Sequence, residues 1–159
     1  MIDKNHQIEI KILDKRLREW GVPKYHTPQS AGVDLRACIE REITLLPHSE
    51  AVLIPTGFAL NMDSNNICAM IVSRSGLGHK NGLIVGQGVG TIDADYLAEL
   101  FVSICLRGKR GSQPFTIKPG DRIAQLVFLP IVRPTFRDVQ EFSNQSERGE
   151  GGFGSTGNN

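Results

Sequence analysis

A hydrophobic period of two constrains this chain more than any other feature. Ile8, Ile10 and Ile12 alternate with Glu9 and Lys11. Val33, Leu35, Ala37 and Ile39 alternate with Asp34, Arg36 and Cys38. Leu100, Val102, Ile104 and Leu106 alternate with Phe101, Ser103 and Cys105. Successive side chains of a strand leave opposite faces, so each run offers one apolar row to a core. Segments 51–54, 67–72, 115–118 and 123–131 also read as strands. Turn formers stand between them: Pro47, Pro55-Thr56-Gly57, Asp63-Ser64-Asn65-Asn66 and Lys118-Pro119-Gly120-Asp121. Many short strands separated in this way predict an all-β sandwich or barrel. The runs 67–72 and 126–132 are continuously apolar, which predicts burial on both faces; a subunit interface is the expected reason in a chain of 159 residues.

Helical signals are few. Ser75-Gly76-Leu77-Gly78-His79-Lys80-Asn81-Gly82 predicts one short helix, with Ser75 as N-cap and Gly82 as the glycine beyond its end. Residues 14–20 predict a single further turn. The length corresponds to one domain, expected over residues 1–147.

Charge and cysteine usage exclude several function classes. The formal net charge is +1, which lacks the basic footprint of a general nucleic-acid binder. Cys38, Cys68 and Cys105 form no CxxC pair and sit among apolar residues, so they read as buried thiols in a reducing compartment. His6, His26, His48 and His79 offer no zinc-ligand spacing. No secretory leader and no membrane-length apolar run is visible, so a cytoplasmic location is expected.

Glycine is over-represented, at 17 residues where average usage gives about 11. Eleven of them fall in two segments, 76–90 and 149–157. Residues 148–159 carry one apolar side chain, Phe153, and cannot build a core element. They read either as a disordered tail or as a mobile lid. In the second case, glycine amides and the Ser155 and Thr156 hydroxyls would converge on an anion.

Four internal blocks hold polar groups suited to phosphate chemistry. Arg74-Ser75-Gly76 offers a guanidinium, a hydroxyl and free amides, although a structural turn needs the same residues. Thr91-Ile92-Asp93-Ala94-Asp95-Tyr96 separates two extended runs and predicts a β-hairpin in which Gln87 faces Phe101. Its aspartates are either turn formers or, for one of them, a general base. Ala31-Gly32-Val33-Asp34-Leu35-Arg36-Ala37 puts Asp34 opposite the apolar row, either on a solvated face or as an acid holding a metal's water shell. In Gly120-Asp121-Arg122-Ile123-Ala124-Gln125, the Gln125 amide lies inside an apolar strand and needs partners.

Taken as 31–37, 74–78, 90–96 and 120–125, and followed by Arg148-Gly149-Glu150-Gly151-Gly152-Phe153-Gly154-Ser155-Thr156-Gly157, these blocks resemble, in order, the five motifs of the trimeric deoxyuridine triphosphate nucleotidohydrolases, or dUTPases. The resemblance runs from about Ile8 to the C-terminus. It implies a distorted jelly-roll-like subunit with one short helix, a flexible glycine-rich tail over 148–159 that closes as a lid, and a homotrimer with shared active sites. It implies conversion of dUTP and water to dUMP and pyrophosphate with Mg²⁺, and neither a nucleic-acid nor a membrane partner.

By motif match, Asp93 corresponds to the water-activating carboxylate and Asp34 to the acid that binds Mg²⁺ through water. Arg74, Ser75, Gly76 and Gln125 correspond to phosphate contacts. Tyr96 corresponds to the aromatic packed on the deoxyribose. Gln87, Thr91, Ile92 and Phe101 lie where main chain reads uracil. Arg148, Phe153, Gly154, Ser155 and Thr156 correspond to the closing tail, with Phe153 over the base. Gln87 stands where many relatives carry Asn, and Leu97-Ala98 where a polar residue and Gly are usual. Two other readings share the scaffold: a deoxycytidine triphosphate deaminase, and a non-catalytic nucleotide-binding protein.

Overall fold

The computed structural model describes residues 7–108, 113–144 and 146. Ten strands occur among them: β1 (Glu9–Ile12), β2 (Gly32–Arg36), β3 (Ile43–Leu45), β4 (Val52–Asn61), β5 (Ile67–Ser73), β6 (Leu83–Val85), β7 (Gly90–Ile92), β8 (Glu99–Leu106), β9 (Phe115–Ile117) and β10 (Arg122–Pro130). They form two four-stranded sheets, ordered β1-β4-β8-β6 and β2-β10-β5-β7, and a two-stranded ribbon of β3 and β9. Every strand pair is antiparallel. The all-β expectation is met. Among the described residues, the helical elements are α1 (Arg16–Trp20) and a π-helical turn over Leu77–Asn81.

The period-two runs do what their spacing demands. Along β8, Leu100, Val102, Ile104 and Leu106 are buried, while Phe101, Ser103 and Cys105 face outward or are half-buried. Val33 and Leu35 of β2 are buried and Asp34 lies on the other face. Residues of both sheets, among them Ile54, Phe58, Ile71 and Leu126, join a single core cluster. Cys38 and Cys68 are buried thiols, as expected, and Cys105 is half-buried. Cys38 donates to the Thr56 carbonyl at 3.2 Å, and burial pushes its thiol up to about 12.

Three local expectations are corrected. Pro55-Thr56-Gly57 is no turn; β4 runs through it with a bulge, its pairing with β8 shifting register between Pro55 and Ala59. Polar groups freed by the bulge find partners outside the strand ladder. Thr56 is fully buried and donates to the Leu100 carbonyl at 2.7 Å. The Gly57 amide donates to Glu99 Oε1 at 2.8 Å, and the Gly57 carbonyl accepts from Leu13 and Asp14 amides. Ser75 is not an N-cap: Gly76 takes that place and no side chain caps the turn. Gly82 does end it, in the left-handed region at φ 74°.

The third correction concerns the hairpin. β6 pairs with β8 with Val85 opposite Ile104, one residue out of the register that would face Gln87 with Phe101. The chain then leaves this sheet at 86–89, and β7 joins the other one, pairing Gly90 with Ile71 and Ile92 with Ala69. Gly86 and Gly88 permit the crossing. A β-carbon on Gly86 would lie 2.7 Å from Ala51 Cβ, and Gly88 has φ 86°.

Gly57 should be the least replaceable residue of the bulge. It has φ 77°, and a β-carbon there would lie 2.6 Å from Cys38 Sγ and 2.8 Å from Asp14 Cβ. Gly57→Ala is predicted to destabilise the fold by about 2–4 kcal/mol, combining left-handed strain with overpacking. Urea denaturation monitored by circular dichroism measures this, and an unchanged midpoint would show that the bulge relaxes freely.

Candidate active site

The register of the β2-β10-β5 sheet assembles the first constellation. β10 lies between β2 and β5. Gln125 is directly opposite Asp34 on one side and Val72 on the other, and Ala124 is opposite Ser73. Side chains of directly paired residues share a face, so Asp34 and Gln125 emerge together. Arg74 follows the end of β5, and Arg122 begins β10. Segments distant in sequence thus converge on one cleft of about 520 Å³, whose walls include His26, Asp34, Arg74, Gly76, Lys80 and Gln125.

Asp34 is the electrostatic centre of this cleft. Its side chain is 14% exposed. Oδ1 lies 2.9 Å from Arg74 Nε, and Oδ2 lies 2.8 Å from His26 Nε2 and 3.1 Å from Arg122 Nη1. Burial pushes its carboxyl up, but the His26 hydrogen bond and the Arg74 and Arg122 charges outweigh it and hold it below the usual carboxylate range. Arg74 also donates to the Arg122 carbonyl at 3.2 Å, and Gln125 Nε2 donates to the Ser73 carbonyl at 3.3 Å. Gly76 has open space where a β-carbon would stand, and its φ of −64° needs no glycine. The Arg74, Arg122 and Lys80 cations outnumber the single acid among these lining residues, which suits a polyanion.

Asp93, Ala94, Asp95 and Leu97 belong elsewhere. They line a separate cleft of about 960 Å³ together with Asp63, Asn66 and Arg133. Asp93 opens a β-turn in which the Tyr96 amide donates to its carbonyl at 3.2 Å, and the Tyr96 hydroxyl donates to the Glu99 carbonyl at 3.1 Å. Gln87 and Thr91 are exposed, Ile92 is half-buried, and Phe101 is 42% exposed. The chain therefore brings Asp34, Arg74, Ser75, Gly76 and Gln125 together and holds Asp93 and Tyr96 apart from them. Arg148, Phe153, Gly154, Ser155 and Thr156 lie outside the described residues.

Three cleft residues were not singled out by motif. Arg122 sits inside a quoted block, and its place between a turn and Gln125 was the available signal. Lys80 sits in the predicted helix. His26 carried no signal, because only the fold of loop 21–31 brings it to Asp34.

The Asp34 cluster ties stability to pH. With its folded value below its unfolded one, Asp34 contributes stability that is complete above about pH 5 and is lost as pH falls through the unfolded and then the folded value. The stability gap between wild type and Asp34→Asn is predicted to narrow as pH falls from 6 to 2. Urea midpoints across that range measure it, and a constant gap would contradict the assignment.

Comparison with known proteins shows the family of the chain. The dUTPase family model matches residues 18–157. A deoxyuridine 5'-triphosphate nucleotidohydrolase of Aeromonas salmonicida (strain A449) is 53% identical over 152 residues, covering 95% of this chain and 97% of the relative. One from Neisseria gonorrhoeae (strain NCCP11945) is 50% identical over 153 residues, covering 96% and 98%. Among solved structures, the Staphylococcus bacteriophage 80alpha dUTPase with dUpNHpp superimposes with a TM-score of 0.78 at 29% identity, covering 95% of this chain and 98% of that one. With its fold, its ordered motifs and a family match over nearly its whole length, this chain belongs to the dUTPase family.

Proposed function

We propose that this protein hydrolyses dUTP to dUMP and pyrophosphate, in a site that different subunits of a homotrimer complete. The observation that carries this is the pairing of a cation-lined cleft around Asp34 with an exposed aspartate, Asp93, in a different cleft of the same chain. Phosphoryl transfer needs positioned cations, donors and a carboxylate near the attacking water. One chain holds all of these, but on two separate surfaces. A symmetric assembly can bring the Asp93 turn of one subunit to the Asp34 cleft of the next. Exposed apolar side chains support assembly: Val132, Phe136 and Phe142 are each more than 90% exposed.

In this reading, water attacks the α-phosphorus, its proton passes to Asp93, and the bond to the bridging oxygen breaks with the electron pair leaving on pyrophosphate. Arg74, Ser75, Gly76 and Gln125 hold the phosphates, and the open space at Gly76 admits a phosphate close to the backbone. Tyr96 packs on the deoxyribose and leaves no room for a 2′-hydroxyl. The main chain around Gln87, Thr91 and Ile92, with Phe101 beside it, reads uracil. Arg148, Phe153, Gly154, Ser155 and Thr156 close over the nucleotide. Keeping uracil out of DNA and supplying dUMP for thymidylate synthesis follow from that reaction.

The cleft fits Mg²⁺ in one specific way. Among the described residues no group of three His, Cys, Asp or Glu side chains could ligate a metal. Asp34 is the single acid among the described residues that line the cleft, with three donors on oxygens that can accept about four. That set suits an ion that keeps its waters and takes its direct ligands from the triphosphate, with Asp34 accepting from a bound water. When bound, Mg²⁺ neutralises phosphate charge. Among the described residues, no helix is long and apolar enough to cross a membrane.

Pyrophosphate release measured in parallel with dUTP, dCTP, dTTP and UTP tests the reaction, the base and the sugar together. Turnover of dUTP alone is expected. Ammonia release from dCTP, or binding of dUTP without turnover, would replace the reading. Asp93→Asn is expected to bind dUpNHpp normally and to lose at least ~100-fold in kcat, the scale of a lost general base. Near-normal kcat would remove Asp93 from that role.

A further inference from the structure

His26 has no part in the roles assigned above, yet it is bonded to the acid at the centre of the cleft. Its Nε2 lies 2.8 Å from Asp34 Oδ2. A carboxylate oxygen only accepts, so this nitrogen carries the hydrogen. Having committed it, Nε2 offers Arg122 no lone pair. Arg122 Nη1, 3.5 Å away, donates to Asp34 Oδ2 instead, at 3.1 Å.

The three partners of Asp34 are not equivalent. Arg74 and Arg122 are permanent cations on the wall of a cleft built for a polyanion, and each can exchange the carboxylate for a phosphate oxygen. While they remain on Asp34, their charge opposes the approach of a dication. His26 donates without an obligatory positive charge. Its loop is braced next to it, where the Thr27 amide donates to Ser30 Oγ at 3.1 Å and the two hydroxyls meet at 2.9 Å. The backbone closes the same turn, the Ser30 amide donating to the Thr27 carbonyl at 3.1 Å.

We infer that His26 is a positioning residue: it holds the Asp34 carboxylate in place when the arginines turn to the triphosphate, so that Asp34 accepts from the water shell of Mg²⁺ arriving with the nucleotide. The inference rests on the dUTP reading and deepens it. A donor behind a metal-binding carboxylate is worth about 10–100-fold in metal affinity.

The test is calorimetric binding of dUpNHpp to the full-length protein, in EDTA and across a Mg²⁺ series, for wild type, His26→Ala, His26→Asn and His26→Gln. His26→Ala is expected to raise the half-saturating Mg²⁺ concentration about 10-fold, while affinity in EDTA and the thermal midpoint barely change. Gln places an amide N–H the same number of bonds from Cβ as Nε2 and should restore the wild-type Mg²⁺ dependence. Asn is one bond shorter and should behave like Ala. An equal loss of affinity in EDTA would overturn the proposal in favour of a direct phosphate contact. An unchanged Mg²⁺ dependence in both Ala and Asn variants would overturn it outright. Failure of the wild type itself to bind dUpNHpp would instead overturn the nucleotide assignment, which separates the two readings.

Discussion

The site depends on the position of β10 between β2 and β5. That register puts Gln125 opposite Asp34, starts β10 with Arg122 and ends β5 just before Arg74. A slip of one residue would send Asp34 and Gln125 to opposite faces, because strand side chains alternate. The core prevents that slip. Val33, Leu35, Ile71, Ala124 and Leu126 are all buried on the inner face, and a slipped strand would turn its own members of that row outward. The same hydrophobic alternation that stabilises the sandwich therefore aligns the polar groups on its other surface.

Around Asp34, desolvation and charge act against each other. A carboxylate this enclosed resists ionisation on its own, and the surrounding donors reverse the preference. The arrangement is stable without ligand because the arginines neutralise the acid. It remains responsive because phosphate oxygens offer those arginines a partner of the same kind. Polyanion binding then needs no basic field over the whole molecule, which accounts for function at a net charge of +1.

Much of this was legible in the sequence. The buried row of β8 follows from strict alternation, and the left-handed end of the π-helical turn from Gly82. Other features depend on tertiary context. Pro55-Thr56-Gly57 has turn chemistry, but Glu99, Leu13, Asp14 and Cys38 pair with its backbone, Leu100 accepts from the Thr56 hydroxyl, and β4 stays continuous through a bulge. The run from Leu83 looks like one hairpin arm, yet Gly86 and Gly88 let it change sheets, because glycine permits a path as well as a turn. His26 was invisible because its partner is brought to it by a loop and not by a strand period. The motifs named candidate residues; the fold alone revealed that Asp34 and Asp93 line two different clefts.

That separation makes the sharing of sites between subunits the central claim. It is tested most directly by refolding Asp93→Asn and Arg74→Ala chains together in equal amounts, each inactive alone, and measuring pyrophosphate release from dUTP. If Asp93 and Arg74 of one site come from different chains, random trimers should regain about a quarter of wild-type activity, since a site needs an intact partner at each of two positions. If each site is built within one chain, the mixture would stay as inactive as its components, and the account would be wrong.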